Sequence, residues 1–74
     1  MITADEIAAL LQEIKGLPHV DVDGDFHSYG ADSLDLLRLA DLVESRTGLT
    51  CGIEELAVAR TPTELAELIN QIVK

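Results

Sequence analysis

Cysteine and aromatic residues are scarce in this chain: Cys51 is its one cysteine, and Phe26 and Tyr29 are its aromatic residues. A single cysteine excludes an internal disulfide, and with two histidines the chain lacks the usual ligand set of a zinc site. We therefore expect no metal site and a reducing, cytoplasmic location. The core has to be built from leucine, isoleucine, valine and alanine, a composition that favours helices.

Positively charged residues are also few, and long apolar runs are absent. Five Lys and Arg against 14 Asp and Glu give a net charge of −9, which repels nucleic acid and anionic lipid and favours protein partners with basic patches. The N-terminus has no basic segment followed by an apolar one, and no run reaches the about 18 apolar residues that indicate a membrane span. We expect neither a signal peptide nor a membrane span.

The length of 74 residues predicts a single domain, residues 1–74, without room for an active-site cleft between domains. A binding or carrier module is therefore favoured over a self-contained enzyme. Met1 stands directly before a well-capped first helix, which suggests a free-standing protein, and we expect a monomer.

Capping residues mark where the first and last helices begin. Thr3 and Glu6 form a capping box at the start of a helix over residues 3–15. Thr61, followed by Pro62 and Glu64, begins the last helix in the same way. The apolar stripe of this last helix consists of Leu65, Leu68, Ile69, Ile72 and Val73.

A further helix is predicted from about Ser33 to Thr47, ended by Gly48, and a short helical segment over Ile53 to Ala59. The chain is therefore expected to be all-α, a small four-helix bundle of three main helices and one short helix. At about 100° per residue, one face of the Ser33–Thr47 helix points to the core. That face carries Leu36, Leu39, Ala40, Val43 and Thr47. The opposite, exposed face carries Ser33, Leu34, Leu37, Asp41 and Glu44.

The loop over residues 17–31 has the aspartate spacing of a calcium loop but fails its other requirements. Asp21, Asp23 and Asp25 stand at ligand positions, yet Phe26 replaces the required glycine and Asp32 replaces the bidentate glutamate. We interpret these aspartates as solvated turn residues. The apolar residues expected to anchor the loop are Val20, Val22 and Phe26.

Nucleophilic catalysis by Ser33 or Cys51 is disfavoured. The G-x-S-x-G motif is absent around Ser33, and His19 and His27 show no partner that would orient them as a base. Cys51 is most simply a small buried apolar residue, because nothing near it in sequence would lower its pKa.

Asp32 and Ser33 are both good N-cap residues, and Asp35 adds negative charge to the first helical turn. The same position suits a modification, because the free N–H groups and positive dipole end of a helix favour an attached phosphate. Asp32 could accept a hydrogen bond there or help to hold a divalent cation brought by a modifying enzyme.

The segment G-A-D-S-L at residues 30–34 resembles the phosphopantetheine attachment motif of acyl carrier proteins, L-G-x-D-S-L. The resemblance extends over nearly the whole chain, because the helices and the long loop follow in the order and spacing of that family. It implies that Ser33, preceded by Gly30 and Asp32 of the motif, receives 4′-phosphopantetheine from coenzyme A. A phosphopantetheinyl transferase would attach the arm with magnesium, and the thiol of the arm would hold acyl groups as thioesters.

The resemblance also implies that the protein is a carrier and not an enzyme, and that the Ser33–Thr47 helix is recognised by partner enzymes. The residues at the matching docking positions are Leu34, Leu37, Arg38, Asp41 and Glu44. Basic patches of the partners would meet the acids through weak, screened pairs of about 1 kcal/mol or less each.

Departures from the motif point to specialised metabolism. Tyr29 replaces the usual leucine, Arg38 stands where fatty-acid carriers commonly have an acid, and Asp41 where they often have an apolar residue. We therefore expect a carrier of polyketide or mixed polyketide and nonribosomal peptide biosynthesis, served by acyltransferase and ketosynthase or by adenylating and condensing enzymes.

Two alternatives remain open from the sequence. A stand-alone peptidyl (aminoacyl) carrier loaded by an adenylating enzyme is the first, although Ala31 and Asp32 favour the acyl type over the G-G-x-S-L of peptidyl carriers. A non-covalent helical interaction module, in which Ser33 only caps a helix, is the second.

Overall fold

The chain forms four α-helices in a computed structural model that describes residues 1–72, apart from the side chains of residues 53 and 72. The helices are α1 (Ala4–Lys15), α2 (Ser33–Thr47), α3 (Ile53–Val58) and α4 (Pro62–Ile72). A 3-10 helix, Phe26–Tyr29, lies between α1 and α2. No strand occurs within residues 1–72. The predicted all-α bundle of three main helices and one short helix is confirmed.

Helix α1 packs against both α2 and α4, and the short α3 lies between α2 and α4. The buried side chains form one apolar cluster, aliphatic except for Phe26, that takes residues from all four helices and from the loop before α2. None of the helices in the described residues combines the length and apolar composition needed to cross a membrane.

The predicted capping box of α1 is present. The Thr3 hydroxyl accepts a hydrogen bond from the Glu6 N–H at 3.2 Å, and the Glu6 carboxylate accepts one from the Thr3 N–H at 3.2 Å. Gly16 ends the helix with a φ of 66°, a left-handed conformation that glycine adopts without a steric penalty.

The core face of α2 is the one that the angular count predicts. Leu39, Ala40 and Val43 are buried, while Leu36 and Thr47 at its edges are half-buried. The reason is geometric, because residues three and four apart lie on one side of a helix and face α1 and the rest of the core together.

The start of α4 differs in one bond from the predicted capping box. The Thr61 hydroxyl accepts from the Glu64 N–H at 3.1 Å, but the Glu64 carboxylate accepts from the Arg60 N–H at 3.2 Å instead of from Thr61. Extended backbone at Ala59 ends α3 and leaves the Arg60 N–H without a helical partner, which Glu64 supplies.

The apolar stripe of α4 is confirmed for its described members. Leu65 and Ile69 are buried and Leu68 is half-buried. The side chain of Ile72 and all of Val73 lie outside the described residues.

The long loop before α2 is held by its apolar anchors and by backbone hydrogen bonds. Val20 and Phe26 are buried and Val22 is half-buried, as predicted. The Phe26 N–H donates to the Arg60 carbonyl at 2.8 Å, and the Val22 carbonyl accepts from both the N–H and the hydroxyl of Thr63 at 3.0 Å. These bonds attach the loop to the start of α4.

The 3-10 helix within this loop was not predicted from the sequence. The Asp25 carboxylate caps it by accepting the His27 N–H at 2.8 Å. The Tyr29 hydroxyl accepts the Asp21 N–H at 2.8 Å, and its ring lies so close to Gly24 that an added Cβ would come within 2.6 Å of the phenolic oxygen. The ring thus requires a glycine in the preceding turn.

Candidate functional site

Ser33 is the first residue of α2, and the cap of that helix is made by the residue before it. The Asp32 carboxylate accepts the Asp35 N–H at 3.0 Å, and the Asp35 carboxylate accepts the Asp32 N–H at 3.2 Å. The sequence allowed either Asp32 or Ser33 to be the cap, and the structure assigns the cap to Asp32. The serine hydroxyl is therefore not needed to begin the helix.

The Ser33 side chain is exposed, and its hydroxyl makes no hydrogen bond to any other group in residues 1–72. The N–H groups of Ser33 and Leu34 likewise have no backbone acceptor in that range. Free N–H groups at the positive end of a helix dipole favour a phosphate beside them. The residues present therefore fit a phosphodiester at the Ser33 oxygen.

The three residues before Ser33 orient it, because Gly30 forms a turn, Ala31 is buried in the core and Asp32 caps the helix. Gly30 ends the 3-10 helix with a φ of 76° and donates its N–H to the His27 carbonyl at 3.0 Å. Ala31 is buried, and its N–H donates to the Phe26 carbonyl at 3.2 Å. With Ala31 in the core and Asp32 in the cap, Ser33 is directed to the surface.

An ion pair joins the first turn of α2 to the end of α1. The Lys15 ammonium donates to the Asp35 carboxylate at 3.0 Å, and both side chains are largely covered. The hydrogen bond from Lys15 lowers the pKa of Asp35, and the bond from the Asp32 N–H acts in the same direction. Sequence reasoning had not paired these residues, because 20 positions separate them.

The five predicted docking residues, Leu34, Leu37, Arg38, Asp41 and Glu44, are all exposed on α2. Leu34 and Leu37 are 59% and 44% exposed, so the angular count was right to place them away from the core. We call these five the docking surface; its use by partners stays a prediction. Val58 on α3 is also 66% exposed, a residue that the sequence did not single out because α3 is too short to show a face.

An open groove of about 190 Å³ lies beside Ser33. It is lined by Ser33, Leu36 and Leu37 of α2 and by Leu56 and Ala57 of α3. Its walls are apolar, so a chain attached at Ser33 has apolar surface next to it. The sequence did not identify Leu56 and Ala57, because the groove exists only where the two helices meet.

The aspartates of the loop serve its turns. The Asp21 carboxylate accepts the Asp23 N–H at 2.9 Å, and all three loop aspartates are exposed. In residues 1–72, no three His, Cys, Asp or Glu side chains come together as a metal site.

The surroundings of His27 and of Cys51 differ in part from those that the sequence predicts. His27 does have an acidic neighbour, since its Nδ1 lies 3.3 Å from the Asp25 carboxylate; the side chain is 81% exposed, and within residues 1–72 no hydrogen bond joins it to Ser33. Cys51 is half-buried, whereas the sequence predicted a buried residue. Burial raises the pKa of its thiol to about 11, and the nearby Glu55 adds to this effect, so the reactive thiolate is scarce at neutral pH.

Comparison of this sequence and structure with known proteins identifies the family to which the chain belongs. A family model for a phosphopantetheine attachment site matches residues 5–69. The chain is 35% identical over 81 residues to a probable acyl carrier protein of Streptomyces coelicolor, covering 99% of this chain and 87% of that protein. It is 31% identical over 65 residues to the probable non-canonical nonribosomal peptide synthetase CymA of Salinispora arenicola, covering 88% of this chain and 1% of that protein.

Among solved structures, the acetyl actinorhodin acyl carrier protein of Streptomyces coelicolor superimposes with a TM-score of 0.75 at 33% identity, covering 95% of this chain and 88% of that chain. The two proteins are therefore similar in fold and, at this level of identity, in sequence. The family model implies phosphopantetheine attachment and interaction with biosynthetic enzymes. The chain belongs to the acyl carrier protein family, whose members carry substrates for enzymes and are not enzymes themselves.

Proposed function

We propose that Ser33 carries a 4′-phosphopantetheine arm and that residues 1–74 act as one carrier domain that shuttles acyl groups in polyketide biosynthesis. The observation that carries this proposal is the free hydroxyl of Ser33, exposed one residue beyond a cap that Asp32 makes. A hydroxyl that served the helix would have to leave its hydrogen bond before it could be modified. The Ser33 hydroxyl has no such bond within the described residues.

In the attachment step, the Ser33 hydroxyl oxygen would lose its proton and attack the pantetheine-bearing phosphate of coenzyme A, with a phosphopantetheinyl transferase as catalyst. The pyrophosphate bond of coenzyme A would break, adenosine 3′,5′-bisphosphate would leave, and Ser33 would hold the arm as a phosphodiester. The thiol of the arm supplies the group that holds an acyl chain as a thioester. Gly30 turns the chain toward the site. The second oxygen of the Asp32 carboxylate accepts no hydrogen bond within residues 1–72, so it is available to accept one, or to contact a divalent cation, in the transferase complex.

The polyketide assignment is supported by the similarity to the actinorhodin carrier over nearly the whole chain. Acyltransferase and ketosynthase enzymes would meet the docking surface, where Leu34 and Leu37 supply apolar contact and Asp41 and Glu44 supply negative charge. Exposed ion pairs contribute about 1 kcal/mol or less each, so docking of this kind remains reversible. Reversible docking is what a shuttle between several enzymes needs.

A stand-alone peptidyl or aminoacyl carrier is the second candidate, favoured by the similarity to a segment of the peptide synthetase CymA. The two candidates differ in the enzyme that loads the arm. A carrier of the first kind would be loaded by an acyltransferase from an acyl-coenzyme A, and one of the second kind by an adenylating enzyme with ATP and an amino acid. Intact mass spectrometry of the protein purified from its native host would report the arm and its cargo together.

The attachment itself is tested with coenzyme A, magnesium and a broad-specificity phosphopantetheinyl transferase. We expect the intact mass to rise by one phosphopantetheine in the wild type and in Ser45→Ala, which removes another exposed serine of α2. We expect no rise in Ser33→Ala. An unmodified wild type in the presence of a transferase that modifies a known carrier would overturn the proposal and favour the non-covalent interaction module.

A further inference from the structure

Lys15 and Arg46 each form an ion pair that links α1 and α2, but the two pairs differ in their exposure to solvent. Arg46 lies 3.0 Å from Glu13, and both of those side chains are more than half exposed. Lys15 lies 3.0 Å from Asp35, with side-chain exposures of 27% and 17%. The Lys15–Asp35 pair is thus less exposed than the Arg46–Glu13 pair, and its carboxylate lies in the first turn of α2.

The carboxylate that Lys15 contacts is also half of the capping box. The same oxygen of Asp35 that accepts from the Lys15 ammonium accepts from the Asp32 N–H. The Asp35 N–H in turn donates to the Asp32 carboxylate. Three residues therefore form one connected set of hydrogen bonds, and Asp32 is covalently joined to Ser33.

Modification of Ser33 would place a third negative charge in this turn, beside the carboxylates of Asp32 and Asp35. Like charges at neighbouring positions of one helical turn repel each other. The Lys15 ammonium offsets the charge of Asp35 and keeps its carboxylate turned back toward the Asp32 N–H. Among the described residues, Lys15 is the one cation in an ion pair with this turn.

We propose that Lys15 is a positioning residue for Ser33: it holds the Asp35 carboxylate in the capping box, and the capping box fixes the backbone from which the serine hydroxyl is presented to the transferase. The inference rests on the proposed attachment at Ser33. Under this proposal, a residue at the end of α1 helps to position the serine that lies between the loop and α2. Lys15 acts through Asp35 and is not itself placed in contact with the transferase.

The test compares Lys15→Met with Arg46→Met in the transferase assay. Each variant removes one positive charge and breaks one ion pair between α1 and α2, but only the first reaches the capping box. We expect Lys15→Met to lower kcat for Ser33 modification by roughly fivefold, equivalent to about 1 kcal/mol in the barrier, with an unchanged KM for the carrier. Arg46→Met should match the wild type in both constants.

Two further variants separate positioning from a general loss of structure. Lys15→Arg keeps a cation able to reach Asp35 and should restore most of kcat, whereas Lys15→Met in an Asp35→Asn background should cost nothing further. An equal loss in Arg46→Met, a change confined to KM, or wild-type kcat in Lys15→Met would overturn the proposal. These results require a wild type that is modified at Ser33, so failure of the proposed function is seen separately, as a wild type that gains no mass.

Discussion

The side-chain amide of Asn70 makes two hydrogen bonds to the backbone of Ile2. Its oxygen accepts the Ile2 N–H at 3.0 Å, and its nitrogen donates to the Ile2 carbonyl at 2.9 Å. The pair connects the residue before the cap of α1 to the last turns of α4, across 68 positions of sequence. The Ile2 side chain is buried beside it, so these bonds fix the start of the chain against the core.

Asn70→Ala should lower the free energy of unfolding by about 1–3 kcal/mol, because the half-buried N–H and carbonyl of Ile2 lose their partner. Urea denaturation followed by circular dichroism measures the change. Gln71→Ala is the matched control, since Gln71 is exposed on the same helix and should stay within about 0.5 kcal/mol of the wild type. Equal stabilities of the two variants would show that the bonds to Ile2 contribute nothing.

The assignment of the α2 cap predicts unequal effects on stability for substitutions at Asp32 and Ser33. Asp32→Ala should destabilise the fold by about 1 kcal/mol, because the Asp35 N–H loses its acceptor. Ser33→Ala should be nearly neutral, since the serine hydroxyl has no hydrogen bond within residues 1–72 and alanine is a good helix former. Thermal or urea unfolding of the unmodified protein measures both, and a larger loss in Ser33→Ala would contradict the assignment.

Cys51 should react slowly with alkylating reagents at neutral pH. Burial raises the pKa of its thiol to about 11, so the reactive thiolate is scarce, and alkylation by iodoacetamide should be on the order of 100-fold slower than for an unhindered cysteine. The rate should rise about tenfold for each pH unit below the thiol pKa. The protein unfolded in urea provides the control, and equal rates for folded and unfolded protein would refute the prediction.

The Lys15–Asp35 pair predicts a stability loss in acid. The pKa of Asp35 in the folded protein is lower than the ordinary value of an aspartate, which is about 4. Asp35 therefore contributes stability above that ordinary value, and the contribution is lost as the pH falls through the lowered pKa. Between about pH 5 and about pH 2, the wild type should lose more stability than Asp35→Asn, as urea titrations at each pH would show. Asp41→Asn, which removes an exposed acid of the same helix, controls for net charge.

The helices and the capping box of α1 could be predicted because their causes are local. The bonds between Thr3 and Glu6 span three residues, and the pattern of Leu39, Ala40 and Val43 follows from the helical period alone. The exposure of Leu34 and Leu37 followed from the same count. The 3-10 helix at Phe26–Tyr29 was missed because its four residues are too few to show a period, although the burial of Phe26 was predicted.

The site was predicted only in part, for the same reason. The G-A-D-S-L segment was found directly, because the motif is contiguous in sequence. The groove wall from Leu56 and Ala57 was not, nor was the exposed Val58, since α3 is too short to show a face by periodicity. The choice between Asp32 and Ser33 as the cap required the backbone, because both residue types are equally suited to that position.

The sequence by itself determined the all-α fold, the family resemblance and the place of Ser33 at the head of a helix. Helical periods and caps act within a few positions, the G-A-D-S-L motif is contiguous, and the order of the helices can be read along the chain. The local backbone of the structure decided that Asp32 and not Ser33 makes the cap, since both residue types suit that position. The tertiary structure decided that Lys15 pairs with Asp35 and that α2 and α3 line an open groove beside the serine. Contacts across 20 or more positions depend on how the helices pack, and the hydrophobic pattern that drives packing leaves the partner of each polar side chain unspecified.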